Sequence, residues 1–303
     1  MGCFKPLRRI SNYYFSIEMI APVILQPMLI GLITNLMPND VKYIALYLSI
    51  VLAIIIKISA DNLSPYFLHY WTVTSITYII IVFEFTIVPL AEILPEENFF
   101  LVLFTVLSLF FLNLTVINKS KSVKGDDVEK LNVYSNGNGV GSMCQTCKIK
   151  LEYKNYHCGI CKECIFNYNH HCYWLNCCIG DSNYHYYFAG IFFGVFAMSY
   201  ASLLILTTIC SPDYYFGILL PENCTDVCGA IEPCACVVSG VYCLLLAVIL
   251  FIKIIYHFYL ISRGKMWGGL DEKSKNITYN NNNGFIYNWS QFLKKFKQIK
   301  FEI

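Results

Sequence analysis

Charge is what this chain has little of. Only 14% of its 303 residues are Asp, Glu, Lys or Arg, against 56% hydrophobic residues and a mean hydropathy of +0.52. Soluble globular domains carry about 25% charged residues, so the composition excludes that class and places the chain in a bilayer. The net charge is +2 and no long basic face is present, which excludes nucleic acid as the partner. The first eighteen residues hold Lys5, Arg8 and Arg9 but lack a short apolar core with a small-residue cleavage site, so no signal peptide is expected. Pro6 stands where the myristoylation pattern wants Ser or Thr, which leaves palmitoylation of Cys3 as the lipidation reading.

What the chain does have is long apolar runs. Six of them, near Met19 to Met37, Tyr43 to Ser59, His69 to Leu94, Phe99 to Ile117, Tyr186 to Ile209 and Ala235 to Leu260, are each long enough to cross the hydrocarbon core as a helix. Pro22 and Pro27 predict a kink in the first. Lysines and arginines cluster before the first span (residues 1–18), between Asn118 and Asn155, and in the tail after residue 260. The loops Pro95 to Asn98 and Ser211 to Cys234 have none. The positive-inside rule therefore puts both termini and the segment after the fourth span in the cytosol, and the loop 211–234 in the lumen or outside. The expected architecture is an all-α multi-pass membrane protein of six transmembrane helices, four in 19–117 and two in 186–260. A cytosolic linker, 118–143, leads to a small cysteine-rich cytosolic domain, 144–185, and a cytosolic tail, 261–303, closes the chain. An endomembrane (Golgi or ER) or plasma-membrane location fits this layout.

The stretch from Cys144 to Phe188 packs eight cysteines into forty-five residues, a density that points to metal. Cys144 and Cys147 form one C-x2-C knuckle, and Cys158, Cys161 and Cys164 form two more that overlap. A two-residue gap lets both thiolates of a turn point at one ion, the spacing of structural zinc. His157 directly precedes Cys158, and neighbours rarely aim both side chains at one tetrahedral centre, so two sites of four ligands each are expected. The available set is Cys144, Cys147, His157, Cys158, Cys161, Cys164, one histidine of the pair His170 and His171, and Cys178. That leaves Cys172, Cys177 and one histidine without a metal role. An unligated cysteine beside a free imidazole and two zinc ions is a candidate nucleophile. A reducing cytosolic face disfavours disulfides among these residues.

The run C-x2-C-x9-H-C-x2-C-x2-C-x4-N-H-H-C-x-W-x-N-x-C-I-G-x2-N resembles the cysteine-rich domain of the DHHC family of protein S-acyltransferases, with Trp174, Asn176, Cys178, Gly180 and Asn183 in register. The resemblance implies one zinc on Cys144, Cys147, His157 and Cys164 and another on Cys158, Cys161, His171 and Cys178. It implies that Cys172 takes a long-chain acyl group, palmitoyl, from acyl-CoA as a thioester and passes it to a cysteine of a cytosolic-face substrate protein. His170 is then the base that deprotonates Cys172. Trp174 is an acyl-chain or cofactor contact, or equally an interfacial anchor.

The chain departs from the family where the motif aspartate should orient that histidine: the position is Asn169. In serine proteases the corresponding loss of a carboxylate costs roughly 10⁴ in turnover, but a thiol, with a free pKa near 8.5, needs less help than a hydroxyl. Slower autoacylation is expected, not its absence. Cys177 replaces a common asparagine, and the family's flanking Thr-Thr-x-Glu element is not evident. These departures keep a second class open, a zinc-bearing membrane scaffold of the same family that does not catalyse. A channel or transporter is suggested only by the six spans and by Glu84 inside the third.

Three features lie outside this stretch. The loop 211–234 carries Cys224, Cys228 and Cys234 and the sequon Asn223-Cys224-Thr225, so a disulfide of undetermined connectivity is expected there. Phe285, Trp289, Phe292, Phe296 and Ile299 recur at helical spacing among lysines, predicting an amphipathic helix on the anionic leaflet or against the zinc domain. Gly194 and Ala197 on the fifth span leave room for a long chain.

Overall fold

The computed structural model describes residues 17–36, 41–60, 67–91, 95–118, 142–148, 150–151, 156–165, 167–215, 218–224, 227–264 and 284–297. Seven helices are described: α1 Ile17–Leu36, α2 Val41–Ala60, α3 Phe67–Ala91, α4 Pro95–Ile117, α5 Tyr184–Ile209, α6 Ile231–Ser262 and α7 Phe285–Lys297. Four of them are long and apolar enough to cross a membrane: α3, the stretch Asn98–Ile117 of α4, α5 and α6. The first two expected spans are also helical, and the apolar stretch described in α1 runs from Ile20 to Ile33. Contacts divide the described residues into two compact units, one drawing on Phe110–Gly190 and the described residues from Lys253 onward, the other on those from Ile17 to Leu109 with Ile191–Ile252.

In the second of these units, polar and small residues join the helices. Lipid tails are as apolar as leucine, so close packing and hydrogen bonds supply the attraction between membrane helices. Gln26 of α1 donates to Trp71 O, Thr74 Oγ1 and Ser75 Oγ of α3 at 2.8–3.0 Å, and Trp71 Nε1 donates to Tyr242 OH of α6 at 3.2 Å. Ser202 Oγ of α5 donates to Gly240 O of α6 at 2.9 Å. A Cβ at Gly194 would meet Ser108 Oγ at 3.2 Å and Leu250 Cδ1 at 3.4 Å. Gly194 therefore serves close helix approach and opens no space for an acyl chain, which corrects the expectation from sequence.

Several expected boundaries change. Pro95 to Asn98 is not a loop: Pro95 starts α4, where its missing N–H costs nothing, and Glu96 complements the positive end of the helix dipole. Likewise α6 begins at Ile231 within the expected loop. Helix α1 runs through both Pro22 and Pro27. Helix α3 carries an irregularity of its own, where Phe83–Ile87 is a π turn and the N–H of Val88 bonds Phe83 O. Pro89 clashes with the carbonyl four residues before it, and widening the turn relieves that clash. Glu84 lies exposed on this turn.

Between α5 and α6 the chain forms a hairpin, β7 Ser211–Tyr215 with β8 Ile218–Asn223, and two disulfides, Cys210–Cys224 and Cys228–Cys234. Cys210, overlooked in the sequence reading, ties the end of α5 to the end of the hairpin.

The other unit holds three short antiparallel hairpins: β1 Ser142–Met143 with β2 Lys150–Leu151, β3 Tyr156–Cys158 with β4 Glu163–Ile165, and β5 His170–Cys172 with β6 Cys177–Ile179. The first begins two residues inside the segment expected to be linker; the linker positions 119–141 lie outside the described residues. Asn183, fully buried, binds this set to helix α4: its Nδ2 donates to Thr115 O at 3.1 Å and Cys178 O at 3.0 Å, while its Oδ1 accepts from Gly180 N at 2.9 Å. Helix α7 packs its aromatic face on α5 and α6, with Phe292 buried against Tyr184 and Phe188 and Trp289 against Phe258. Asn288 Nδ2 and Trp289 Nε1 donate to Ser262 at 2.9 and 3.1 Å. The helix thus docks on membrane-helix ends, while Ile286 is 82% exposed on its other face. Ile299 lies outside the described residues.

Candidate metal centres and thiol site

Two of the hairpin turns have the same construction. The N–H of Lys148 bonds Cys144 O at 2.8 Å and the N–H of Cys147 bonds Cys144 Sγ at 3.4 Å; the N–H of Lys162 bonds Cys158 O at 2.7 Å and the N–H of Cys161 bonds Cys158 Sγ at 3.5 Å. Each turn closes on a lysine with positive φ, 55° at Lys148 and 56° at Lys162. A backbone strained in this way persists where the surroundings over-determine it. The N–H of Cys147 also stabilises the Cys144 thiolate, lowering its pKa.

The hairpins gather two groups of four ligand atoms, each group within 4.8 Å: Cys144, Cys147, His157 and Cys164, and Cys158, Cys161, His171 and Cys178. In each group the histidine faces a cysteine directly across a hairpin, His157 opposite Cys164 and His171 opposite Cys178. His157 Nδ1 lies 3.3 Å from Cys147 Sγ and 3.6 Å from Cys164 Sγ. His171 Nδ1 lies 3.7, 3.5 and 3.7 Å from the sulfurs of Cys158, Cys161 and Cys178. Tetrahedral zinc, about 2.3 Å from sulfur and about 2.0–2.1 Å from nitrogen, spaces S and N about 3.5 Å apart. Three thiols and one imidazole at these distances fit zinc and leave no coordination position open.

The hairpin β5–β6 separates metal ligands from the candidate nucleophile. Side chains alternate along a strand, so His170 and Cys172 point to the face opposite His171. Cys172 is buried, 2% exposed, and its cross-strand partner is Cys177. His170 Nδ1 lies 2.6 Å from Asn169 Oδ1. An amide oxygen can only accept, so Nδ1 carries the proton and Nε2 is left as the basic nitrogen. Loss of solvent around the ring pulls the His170 pKa down to about 3, and His257 and Lys253 push in the same direction, which keeps the ring neutral.

Two α6 residues complete the surroundings. Lys253 places its ammonium 5.9 Å above the half-buried Trp174 ring. One turn on, the buried His257 lies against His170 with ring centroids 5.7 Å apart and planes at 30°. Its Nδ1 is 2.9 Å from Tyr184 OH, and its edge meets Tyr187, which itself contacts His170. The sequence reading overlooked His257. The signal was present, an ionisable residue within an apolar span.

Residues 138–267 match the model of a protein family described as DHHC palmitoyltransferase. No curated protein matches the chain.

Proposed function

For a chain that carries a DHHC palmitoyltransferase domain, we propose the activity of a protein S-acyltransferase that moves a long-chain acyl group from acyl-CoA to cysteines of substrate proteins through a thioester on Cys172. The observation that carries this reading is that His171 of β5 gathers with one set of metal ligands; alternation along the strand then assigns His170 and Cys172 to the opposite face.

The chemistry takes two steps. His170 Nε2 accepts the Cys172 proton, and the thiolate attacks the thioester carbonyl of acyl-CoA; the bond to the CoA sulfur breaks as the new thioester forms. The departing CoA thiolate takes up the proton held by His170. A substrate cysteine thiolate then attacks the Cys172 thioester and the Cys172 thiolate leaves. Asn169 supports the first step by holding His170 in the tautomer whose Nε2 is free, though an amide stabilises the imidazolium less than a carboxylate would. Zinc on the two Cys3His sets supplies rigidity, clamping loop-rich hairpins that have little core of their own.

In this reading the chain crosses the bilayer six times with both termini, the hairpins and α7 on the cytosolic side. The distribution of cysteine supports that orientation. The thiols gathered for metal precede the N-terminus of α5, and disulfide-bonded Cys210 follows its C-terminus, as expected of a helix joining a reducing to an oxidising compartment. A long acyl chain favours the bilayer by about 0.8 kcal/mol per buried methylene, so a nucleophile at the cytosolic interface receives its donor from that phase. Acyl labelling of purified protein, sensitive to hydroxylamine and abolished in Cys172→Ser, is the expected result. Protein that stays unlabelled while holding two zinc ions would favour the alternative that Asn169 suggests, a non-catalytic membrane scaffold.

A further inference from the structure

We infer that His257 is a positioning residue: its ring, held by Tyr184, is the platform that fixes the ring plane of His170, two residues before Cys172 on β5. The inference rests on the acyl-transfer reading for its consequence but on separate geometry for its content. His170 is fixed at one nitrogen by Asn169 Oδ1, a contact that sets the tautomer but leaves the ring free to swing about the line joining the two residues. A second constraint must act on the plane of the ring. His257 faces it with centroids 5.7 Å apart and planes inclined by 30°, and Tyr187 closes edge-on at 5.4 Å.

The platform is itself held. Tyr184 OH shares a 2.9 Å hydrogen bond with His257 Nδ1, and Tyr184 is 1% exposed, packed in turn against Phe292 of α7. A chain of contacts therefore runs from α7 through Tyr184 and His257 to His170, and Phe292, Tyr184 and His257 are all buried. Misplacing a reacting group by about 1 Å costs on the order of 10²-fold in rate. A ring that only orients another should affect the rate of reaction and leave donor binding alone.

The test uses full-length protein in detergent with three variants, His257→Ala, His257→Phe and Tyr184→Phe. Single-turnover acylation by palmitoyl-CoA gives a rate and a half-saturating concentration. Alkylation of Cys172 by iodoacetamide gives a second rate that needs no acyl transfer, and zinc content reports the fold. The expected result is a roughly 10- to 100-fold slower acylation in His257→Ala, with unchanged half-saturation and two zinc ions per chain. His257→Phe, which keeps a flat ring, should recover to within about threefold of wild type, and Tyr184→Phe should fall between. Slower alkylation in His257→Ala should accompany these changes. His257→Ala acylating within about twofold of wild type, or His257→Phe as slow as His257→Ala, would overturn the inference. If wild type alkylates but does not acylate, the acyl-transfer reading fails, and the alkylation rates of the same variants still decide the role of His257.

Discussion

Asn169 Oδ1 lies 2.6 Å from His170 Nδ1, so an uncharged amide occupies the place from which a carboxylate would both hold the ring and stabilise its protonated form. Replacing it with a carboxylate keeps the geometry and adds charge. Asn169→Asp is expected to form the acyl-enzyme faster than wild type, by about tenfold or more, and Asn169→Ala more slowly; the serine-protease precedent sets roughly 10⁴ as the outer bound. Time courses with a fluorescent acyl-CoA would decide it, and an aspartate variant no faster than wild type would show that the amide already suffices.

Metal content should follow the two clusters. Cys164→Ser, which removes one ligand of the first group, is expected to lower zinc from two to about one per chain, and Cys178→Ser should do the same at the second. Cys172→Ser and Cys177→Ser should each retain two. Elemental analysis of purified protein measures this, and loss of metal in Cys172→Ser would refute its assignment as the metal-free thiol.

The buried Asn183 satisfies three backbone groups at once. Truncation to alanine leaves Gly180 N–H and the carbonyls of Thr115 and Cys178 without that partner, at about 1–3 kcal/mol each. Asn183→Ala is therefore expected to lower the thermal midpoint and speed zinc release to a chelator. Asn183→Asp, which keeps the acceptor but loses both donors, should be impaired as well. A variant as stable as wild type would mean that the three groups find other partners.

Lys148 and Lys162 hold left-handed backbone where glycine carries no steric cost. Lys162→Gly should be neutral or stabilising by up to about 1 kcal/mol, whereas Lys162→Val, β-branched at the same φ, should destabilise by about 1–3 kcal/mol. Resistance of zinc to chelator is the readout, and equal behaviour of the two variants would contradict the turn geometry.

Cys210–Cys224 closes a loop of 14 residues around the hairpin β7–β8. Loops of that length gain about 3 kcal/mol from a crosslink. Cys210→Ser should make the hairpin sensitive to protease and leave Cys224 open to a thiol reagent that does not cross membranes. Labelling of wild-type Cys224 without prior reduction would show the bond absent.

Membrane class and the cysteine-rich ligand set, short of the choice between His170 and His171, were legible from local spacing: twenty apolar residues suffice for a span, and a C-x2-C turn aims two sulfurs to one side whatever surrounds it. The choice of His171 and the division into two groups came from the family resemblance, and the structure brings the same eight side chains together. The sharing of one face of β5 by His170 and Cys172 is equally local, a consequence of alternation along a strand. What the tertiary structure decided are pairings between residues far apart in the chain. His257 meets His170 across 87 positions, Asn183 finds Thr115, Cys210 pairs with Cys224, and α7 docks on Ser262. Gly194, which on sequence alone reads as space for a chain, turns out to be a place where α5 lies close to Ser108 of α4 and Leu250 of α6. No periodicity encodes such contacts, because they depend on which faces of separate helices meet, and that is settled by packing and hydrogen bonding summed over the whole bundle.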